Sequence, residues 1–203
     1  MIEVIKIERK GNRIKIFFSQ SDPILLSIDT YNKFQLSLNQ KLSENYLEDI
    51  IAYEELNQAK QSALRFLAIR NHSIFELRRK LSQKKFAPET VNKTLESLIH
   101  SQLIDDEKFA KEFADELTKR KYFGPSRIKT ELRKRGISDS QVKSLLTDIS
   151  DETEMKNLET TAEKYLKRFS TKLTPSDKQK VINYLFQKGF SWEKIKIFID
   201  KID

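Results

Sequence analysis

The sequence contains no cysteine and very little glycine or proline. Its 203 residues include four glycines and four prolines. Without cysteine there are no disulfides, no thiolate metal ligands and no cysteine nucleophile. The shortage of glycine and proline argues against a fold rich in loops. No apolar run approaches the roughly 18 residues that a membrane span needs, and the charged N-terminus does not resemble a signal peptide, so we expect a cytoplasmic protein with no membrane contact.

Motifs that carry catalysis are also missing. The chain has no glycine-rich phosphate loop, no H-E-x-x-H zinc motif and no nucleophile elbow. Its two histidines, His72 and His100, have no partners at metal-ligand spacing, and His72 is predicted to lie in an exposed turn. Asp105 and Asp106 are predicted to cap a helix. We therefore expect no catalytic residue, no metal and no cofactor, and a protein that is not an enzyme.

Positive charge is in excess, and it is concentrated in the middle of the chain. The formal net charge is +8 at pH 7. Residues 59–150 carry 20 basic and 12 acidic side chains, a net charge of +8. The segments before and after them have net charges of −2 and +2. Such an excess favours contact with polyanions or with acidic protein surfaces.

The first thirty residues differ from the rest of the chain in their hydrophobic period. "IEVIKI" (2–7) and "RIKIFF" (13–18) alternate in polarity and are rich in β-branched and aromatic residues. Gly11 and Asn12 between them form a two-residue hairpin signal. "ILLSI" (24–28) is a third strand candidate. The pattern predicts a small meander of two or three strands that packs on the helices that follow.

A motif of about 19 residues occurs three times without gaps. "LRRKLSQKKFAPETVNKTL" (77–95) aligns with "IKTELRKRGISDSQVKSLL" (128–146) and "VINYLFQKGFSWEKIKIFI" (181–199), at offsets of 51 and 53 residues. The coinciding apolar positions are Leu77, Ile128 and Val181; Leu81, Leu132 and Leu185; Phe86, Ile137 and Phe190; Val91, Val142 and Ile195; and Leu95, Leu146 and Ile199. Each copy predicts a helix, a tight turn and a helix.

The turn of the motif carries glycine in two of its three copies. Gly136 and Gly189 suit the left-handed conformation that ends many helices. Lys85 stands at the same position in the first copy, so a different type of turn is expected there.

The repeats and their flanks predict a mainly α fold. A helical period begins near residue 43 and runs to about Arg70, and a further helix precedes each later copy of the motif. Ser73, Ser138 and Thr174 are predicted to cap helix starts. We expect an elongated monomer made of three tandem three-helix modules after a small β-hairpin or meander and a helix. The predicted boundaries are 1–55 for the N-terminal extension, then 56–104, 105–150 and 151–203 for the modules.

The candidate binding residues are basic side chains that fall outside the apolar stripe in the first two modules. They are Arg78, Arg79, Lys80, Lys84, Lys85, Lys119, Arg120, Lys121, Arg127, Lys129, Arg133, Lys134 and Arg135. The third module carries less charge at the same positions. The alternative is a solvated helix face with pairs four residues apart, such as Glu131 with Arg135.

Three aromatic residues near these basic runs have two interpretations. Tyr122 and Phe123 follow a basic run, so they could stack on bases or anchor a partner. Alternatively, they fill the junction between two helices. Trp192 is predicted to pack within the last module.

Residues 63–138 resemble the RecX family, which comprises bacterial regulators of the RecA recombinase. The stretches that carry the resemblance are "ALRFLAIRNHSIFELRRKL" (63–81), "LIDDEKFAKEFADE" (103–116) and "KRKYFGPSRIKTELRKRGIS" (119–138). The matching residues are Arg70 to Ser73, Glu76, Leu77, Lys80, Leu81, Asp105, Asp106, Phe109, Ala110, Gly124, Ile128, Glu131, Leu132, Gly136 and Ile137. Residues 155–203 match only as a module, and the N-terminal strands resemble an extension of longer members.

The resemblance implies a binding protein with no active site. Members of the family bind RecA on DNA, lodge in the groove of the filament and usually inhibit strand exchange and ATP hydrolysis, which affects recombination, repair and the SOS response. The expected partner is therefore the RecA filament, with weak and non-specific DNA binding in addition. The alternative is a protein that acts directly on DNA through modules like a helix-turn-helix.

Overall fold

The computed structural model describes residues 1–169 and 173–202. Its strands are β1 Ile2–Lys10, β2 Arg13–Phe18, β3 Ile24–Ser27 and β4 Lys41–Leu42. Its helices are α1 Ile28–Phe34, α2 Glu44–Leu67, α3 Ile74–Gln83, α4 Pro88–His100, α5 Asp106–Lys119, α6 Pro125–Arg133, α7 Asp139–Thr147, α8 Asp151–Leu166, α9 Pro175–Lys188 and α10 Trp192–Lys201. The chain forms two compact units: Met1–Asn71 with Leu77–Leu103, and His72–Glu76 with Ile104–Asp203.

The first unit begins with a four-stranded antiparallel sheet in the order β3-β2-β1-β4. Val4, Ile16 and Leu26 are buried on one face of the sheet, as the alternating pattern predicts. The three predicted strands are confirmed. The fourth strand was not predicted, because its two residues are too few to show a period, and it forms where Leu42 pairs with Ile2.

The third strand is shorter than predicted, because Ser27 starts a helix. Its hydroxyl oxygen accepts a hydrogen bond from the amide of Thr30 and thereby caps α1. Both the amide and the hydroxyl of Ser27 donate to Glu54 of α2, at 2.9 and 2.8 Å. Burial alone would raise the pKa of Glu54, but hydrogen bonds from Thr30, Ser27 and Gln58 hold it below its usual range. This carboxylate therefore joins α2 to the sheet.

The three predicted helix–turn–helix repeats are confirmed as α3–α4, α6–α7 and α9–α10. Helices α2, α5 and α8 precede them, so each module has three helices, and the fold is mainly α. The equivalent positions Leu81, Leu132 and Leu185 are all fully buried. Leucine recurs at this position because one stripe of each second helix faces the core of its own module.

All three repeats place a left-handed residue at the turn position, Lys85 included. In the described part of the chain, only the second and third turns add a hydrogen bond from the next amide, that of Ile137 or Phe190, to the carbonyl oxygen of Leu132 or Leu185. The φ angles are 66° at Lys85, 80° at Gly136 and 92° at Gly189. A side chain in this region costs about 1–2 kcal/mol of backbone strain. Lys85 carries that strain, whereas the two glycines avoid it.

Within the second unit, the second and third modules are joined where the start of α6 meets the end of α9. The amides of Gly124 and Ser126 donate to the carbonyl oxygens of Lys188 and Gly189, at 2.9 and 3.1 Å. A Cβ at Gly124 would lie 2.4 Å from the carbonyl oxygen of Gly189, and a Cβ at Gly189 would lie 2.2 Å from the amide nitrogen of Arg127. The joint therefore requires glycine at both positions.

Candidate binding surface

Most of the thirteen candidate cations are exposed, as predicted, but their partners divide them into distinct groups. Five belong to α3 and the turn after it, three stand at the end of α5, and five lie on α6 or directly after it. Lys80 and Arg135 are half-buried, and the other eleven are exposed. What each could contribute to binding depends on what its charged atoms already contact.

The candidates of the first module are partly engaged with neighbouring side chains. Arg78 donates a hydrogen bond to Asn92 of α4. The ammonium groups of Lys80 and Lys84 lie 4.6 and 5.8 Å from the ring centre of Phe66. Such contacts hold the aliphatic stems on the helix surface and leave the charges at the solvent boundary.

Among the candidate cations of the first module, Arg79 and Lys85 are the most available. Both are exposed. Within residues 1–169 and 173–202, neither has an ion-pair partner. A partner that contacts this face would meet their full charge.

On the second module, Glu131 collects three of the candidate cations. Its carboxylate oxygens lie 3.1 Å from Arg127, 3.2 Å from Lys134 and 3.1 Å from Arg135. Burial alone would raise the pKa of Glu131, but hydrogen bonds from Arg135 and Lys134 and the charges of Lys134 and Arg127 hold it below its usual range. The cluster is therefore a network of three cations and one carboxylate, and the carboxylate lowers its formal net charge from +3 to +2.

Arg135 supports the fold, in contrast to the outward position predicted for it. Its guanidinium carbon lies 4.0 Å from the ring centre of Phe113, and its Nε lies 3.7 Å from Glu76. Its carbonyl oxygen accepts a hydrogen bond of 2.6 Å from the hydroxyl of the fully buried Ser73. Because these contacts fix it inside the second unit, Arg135 is less free for a partner than its neighbours.

The residues that precede α3 and α6 pack against backbone of the second unit, whereas Phe75, Ser126 and Arg127 in the first turns are exposed. Ser73 and Gly124, which precede the two helices, are buried, and both bond to the carbonyl oxygen of a residue just before a turn glycine. His72 is also buried, at 5% exposure, so the prediction of an exposed turn was wrong. A helix-turn-helix protein reads bases from the start of its second, recognition helix. In the pairs α3–α4 and α6–α7 that helix is α4 or α7, and the residues before them, Ala87 and Ser138, are exposed.

The end of α5 combines free charge with aromatic residues that are used for packing. Lys119 pairs with Asp115 at 2.9 Å. Arg120 and Lys121 are exposed, and the described part of the chain offers neither of them an ion-pair partner. These two cations are therefore the available charges of the segment.

Tyr122 and Phe123 fill a junction, which was the second of the two interpretations. Phe123 packs against the core of the second module. The carbonyl oxygen of Tyr122 accepts from the hydroxyl of Thr161, and the ammonium of Lys164 lies 4.3 Å from its ring centre. Both rings are only partly exposed, so they offer a poor stacking platform for bases.

Trp192 was predicted to pack within the last module, and this prediction was wrong. It is 49% exposed and stacks on Phe186, which is 46% exposed, with ring centres 6.0 Å apart. The pair forms an exposed aromatic surface where α10 begins.

A groove between α6 and α7 was missed from the sequence. Its volume is about 420 Å³, and three cations, one carboxylate and apolar side chains line it. Arg133, at its edge, hydrogen-bonds to Asp139 over 2.6 Å, which lowers the pKa of that carboxyl group. Lys143 was not predicted because it lies on α7, the third helix of its module, whereas the candidate residues were taken from the second helices and the segments next to them. Comparing all positions of the repeat would have found it.

Neither a metal centre nor a membrane span is found in the part of the chain that the structure describes. No three acidic or histidine side chains among these residues gather at a distance suited to an ion. None of the described helices is both long enough and apolar enough to cross a bilayer.

Comparison with protein families gives matches along most of the chain. The model for the first three-helix domain of RecX matches residues 59–98, that for the second matches 105–146, and that for the third matches 152–199. The three matches follow each other in order and coincide with the three modules of the structure.

Comparison with individual proteins gives relatives named regulatory protein RecX. The Lactococcus lactis protein is 28% identical over 205 residues, which span 100% of this chain and 76% of the relative. The Leuconostoc mesenteroides protein is 24% identical over 201 residues, or 99% of this chain and 75% of the relative. The Enterococcus faecalis protein is 26% identical over 203 residues, with 100% and 76% coverage.

Two solved structures share the fold. One, a crystal structure of regulatory protein RecX, superposes with a TM-score of 0.72 at 23% identity and covers 98% of this chain and 100% of its own. RecX from Lactobacillus salivarius superposes with a TM-score of 0.64 at 25% identity, over 74% of this chain and 98% of its own.

Proposed function

This chain belongs to the RecX family, and from that premise we propose that it regulates the RecA recombinase by binding RecA filaments on DNA. The regulation is inhibitory: the bound protein slows ATP hydrolysis and strand exchange by the filament. It acts by binding and not by catalysis, and its effect is to restrain recombination, repair and the SOS response. The relatives are named regulatory proteins, which supports the regulatory part of this proposal.

The observation that carries the proposal is the ordered match of all three RecX domain models to three modules that each have a buried stripe and an exposed basic or aromatic face. A filament repeats the same surface many times. Three linked modules can each make a weak contact with such a polymer, and linkage raises the effective concentration of the second and third contacts. No single tight site is needed.

Electrostatics supports the same partner. Arg79, Lys85, Arg120 and Lys121 are exposed and have no ion-pair partner among the residues that the structure describes. A nucleoprotein filament offers them acidic protein surface and DNA phosphates. Charges of this kind raise the rate of encounter and make it depend on salt.

Direct binding to DNA is the second candidate, and the exposed cations favour it. Sequence-specific readout through α3 or α6 is disfavoured, because the residues before these helices are held in backbone contacts and Arg127 is paired with Glu131. Non-specific contact with phosphates is compatible with the same surface. The two candidates differ in whether the recombinase is needed for tight binding.

The test is to measure binding to DNA with and without the recombinase. Labelled single-stranded DNA is titrated with the protein at about 150 mM salt, first alone and then after assembly of the RecA filament with a slowly hydrolysed nucleotide. We expect the filament to be bound at least about tenfold more tightly than the naked strand. In parallel, ATP hydrolysis by the filament should fall as the protein is added.

Equal affinity for naked and filament-covered DNA would contradict the proposal and favour the DNA-binding candidate. Tight filament binding with unchanged or faster ATP hydrolysis would contradict the inhibitory part alone. Wild-type protein alone is sufficient to distinguish these two outcomes.

A further inference from the structure

The groove between α6 and α7 is a surface to which the proposed function assigns no role. Val142 and Leu146 give it an apolar lining, and Lys129, Arg133 and Lys143 give it positive charge. Val142 is nearly fully buried and belongs to the core of its module, whereas the three cations are exposed. An apolar lining with charged edges is the usual composition of a site that binds a small group specifically.

The repeat shows that the charge of this groove is peculiar to the second module. Lys129 and Lys143 stand at the positions that Arg78 and Asn92 occupy in the first module. There the arginine donates a hydrogen bond to the asparagine, so the two helices are bridged. In the second module both positions are cations, and no such bridge can form.

The third module fills most of the same region with apolar side chains, although Lys196 stands at the position of Lys143. Phe186 and Trp192 stand at the positions of Arg133 and Asp139, and they stack on each other. Ile182 stands at the position of Lys129. Among the described residues, only the second module therefore has a cation at both of these lysine positions, one on each of the two helices that flank the groove, together with an apolar lining.

The two lysines of the groove, Lys129 and Lys143, form no close ion pair in the described part of the chain, although the charge of Lys129 helps to lower the pKa of Asp139. Arg133 is bonded to Asp139, whose carboxyl group has its pKa lowered by that hydrogen bond and is therefore ionised at neutral pH. A carboxylate that entered between the lysines would relieve their mutual repulsion, and it would compete with Asp139 for Arg133.

We propose that this groove binds an acidic peptide segment that carries an aliphatic side chain. Its carboxylates contact Lys129 and Lys143, and its aliphatic side chain lies on the partly exposed Leu146. The inference rests on the proposed function for the identity of the partner, because the segment would belong to a RecA subunit of the filament.

A peptide fits the groove better than a nucleic acid does. Of the seven described residues that line it, none is aromatic, so no ring is available to stack on a base. Phosphates need charge but no apolar lining. Asp139 would also repel a phosphate backbone that runs along the edge, whereas a single peptide carboxylate can take its place.

The experiment uses the full chain and a labelled heptapeptide with acidic residues around a central leucine. Binding is followed by fluorescence anisotropy at low salt. The comparison probes are the same peptide with central glycine, a peptide with lysine in place of the acidic residues, and an oligothymidine of equal charge. We expect only the leucine-containing acidic peptide to bind well, with the glycine version weaker by roughly fivefold because one leucine side chain stays exposed.

The first variant reverses the groove lysines. Lys129→Glu with Lys143→Glu should weaken peptide binding by about tenfold or more, because carboxylates then face carboxylates. The matched control is Lys108→Glu with Lys111→Glu on α5, which makes the same change in net charge on exposed positions away from the groove. The control should bind the peptide nearly as the wild type does. Thermal unfolding of each variant confirms that the fold is kept.

The second variant removes the competing carboxylate. Asp139→Asn frees Arg133 and should tighten peptide binding by about threefold, whereas a role in holding the fold alone would leave the affinity unchanged. Equal binding by wild type, the lysine reversal and Asp139→Asn would overturn the proposal. So would preferential binding of the oligothymidine that depends on the same two lysines.

The peptide assay contains no recombinase, so its result is independent of the proposed function. If the peptide binds as expected and the filament also loses affinity for the lysine reversal, the groove and its partner are both supported. If the peptide binds as expected but wild-type protein fails to bind the filament, the proposed function fails while the groove's ligand class stands. If filament binding survives the reversal while peptide binding is lost, the assignment of the partner is overturned.

Discussion

The amide of Gly124 donates a hydrogen bond to the carbonyl oxygen of Lys188 over 2.9 Å, and this contact has a counterpart one repeat earlier. The hydroxyl of Ser73 donates to the carbonyl oxygen of Arg135 over 2.6 Å. Ser73 stands 51 positions before Gly124, and Arg135 stands 53 positions before Lys188, which are the two offsets of the repeat. The second unit therefore uses one joint twice: the residue before a helix bonds to the residue before a turn glycine.

This joint predicts a large effect of a methyl group at Gly189. In Gly189→Ala the new Cβ would enter a left-handed residue and lie 2.2 Å from the backbone nitrogen of Arg127. We expect the free energy of unfolding to fall by roughly 2–4 kcal/mol, which combines backbone strain with overpacking. Chemical denaturation followed by circular dichroism measures it.

The matched control for that variant is Gly11→Ala. Gly11 also has a left-handed φ, of 61°, but nothing lies within 4 Å of its ideal Cβ. Its loss should be limited to the strain of about 1–2 kcal/mol. Equal losses in the two variants would mean that the joint tolerates a side chain and that the contact with Arg127 is loose.

The core of the second module predicts the cost of shortening Leu132. This side chain is fully buried and packs in one cluster with Ile128 and Val142. Leu132→Ala removes buried methyl groups and leaves a cavity, so the free energy of unfolding should fall by roughly 2–5 kcal/mol. A loss near zero in a denaturant titration would mean that the inward stripe has been misplaced, and with it the outward position of the cations.

Charge reversal on the outer face of the second module should separate binding from folding. Arg133→Glu with Lys134→Glu breaks exposed ion pairs with Asp139 and Glu131. Such pairs are worth about 0–1 kcal/mol each, so the protein should still fold. Association with the recombinase filament should weaken, and inhibition of its ATP hydrolysis should fall in parallel. Both are measured in the same titration.

The control for this reversal lies in the third module. Lys178→Glu with Lys180→Glu makes the same charge change and also breaks an ion pair, between Lys180 and Asp177 at 2.9 Å. We expect a smaller effect, since the neighbouring surface has less clustered charge. If wild type and the Arg133 and Lys134 reversal inhibit equally, the basic face of the second module is a solvated helix side only.

Binding to naked DNA should be weak, without sequence preference and sensitive to salt. The exposed cations Arg79, Arg120 and Lys121 can neutralise phosphates and release counterions. Affinity should fall steeply between about 50 and 200 mM salt, with similar values for unrelated duplexes. A duplex sequence bound far more tightly than random DNA at about 150 mM salt would contradict this prediction and favour a protein that reads DNA sequence.

The carboxyl group of Asp106 should make stability depend on pH. Burial raises its pKa, and the charges of Asp105 and Glu76 raise it further, against a hydrogen bond from the amide of Ile74. A raised pKa means that the folded state holds this proton more tightly than the unfolded state does. The contribution of Asp106 to stability is therefore present at low pH and is lost as the pH rises through the raised value.

Asp106→Asn isolates this effect, because asparagine can keep the hydrogen bond from Ile74 at 2.8 Å without the charge. The variant should gain stability relative to wild type as the pH rises from about 4 toward 7. Denaturant unfolding of both proteins at several pH values gives the difference, in which the titration of other groups cancels. A difference that stays flat with pH would show that the carboxyl group is not perturbed.

Local patterns were enough to predict the secondary structure and the core positions of the modules. The period of apolar residues gives the buried stripe of a helix, and capping residues such as Ser138 mark its start, because both effects act within a few residues of the chain. The same holds for the hairpin at Gly11. The three copies of the motif also predicted the number of modules, because each copy buries the residue at the position of Leu132.

Only the tertiary structure shows which of the surface cations are already paired and which are available to a partner. Helical period shows that Arg135 and Lys129 are off the apolar stripe, but it does not show that the first is tied to Glu131 and Phe113 while the second has no ion pair. Those partners come from other turns and other helices. The outward position of a charge is a local property, and its availability is not.

The joints and the groove depend on residues far apart in the chain. Gly189 needs to be glycine because it meets Arg127, 62 positions earlier in the sequence. The buried state of His72 and the exposed state of Trp192 were both predicted wrongly from neighbouring residues. The period and caps of one segment determine that it forms a helix and which side is apolar, whereas packing against distant segments determines which polar atoms stay free to bind.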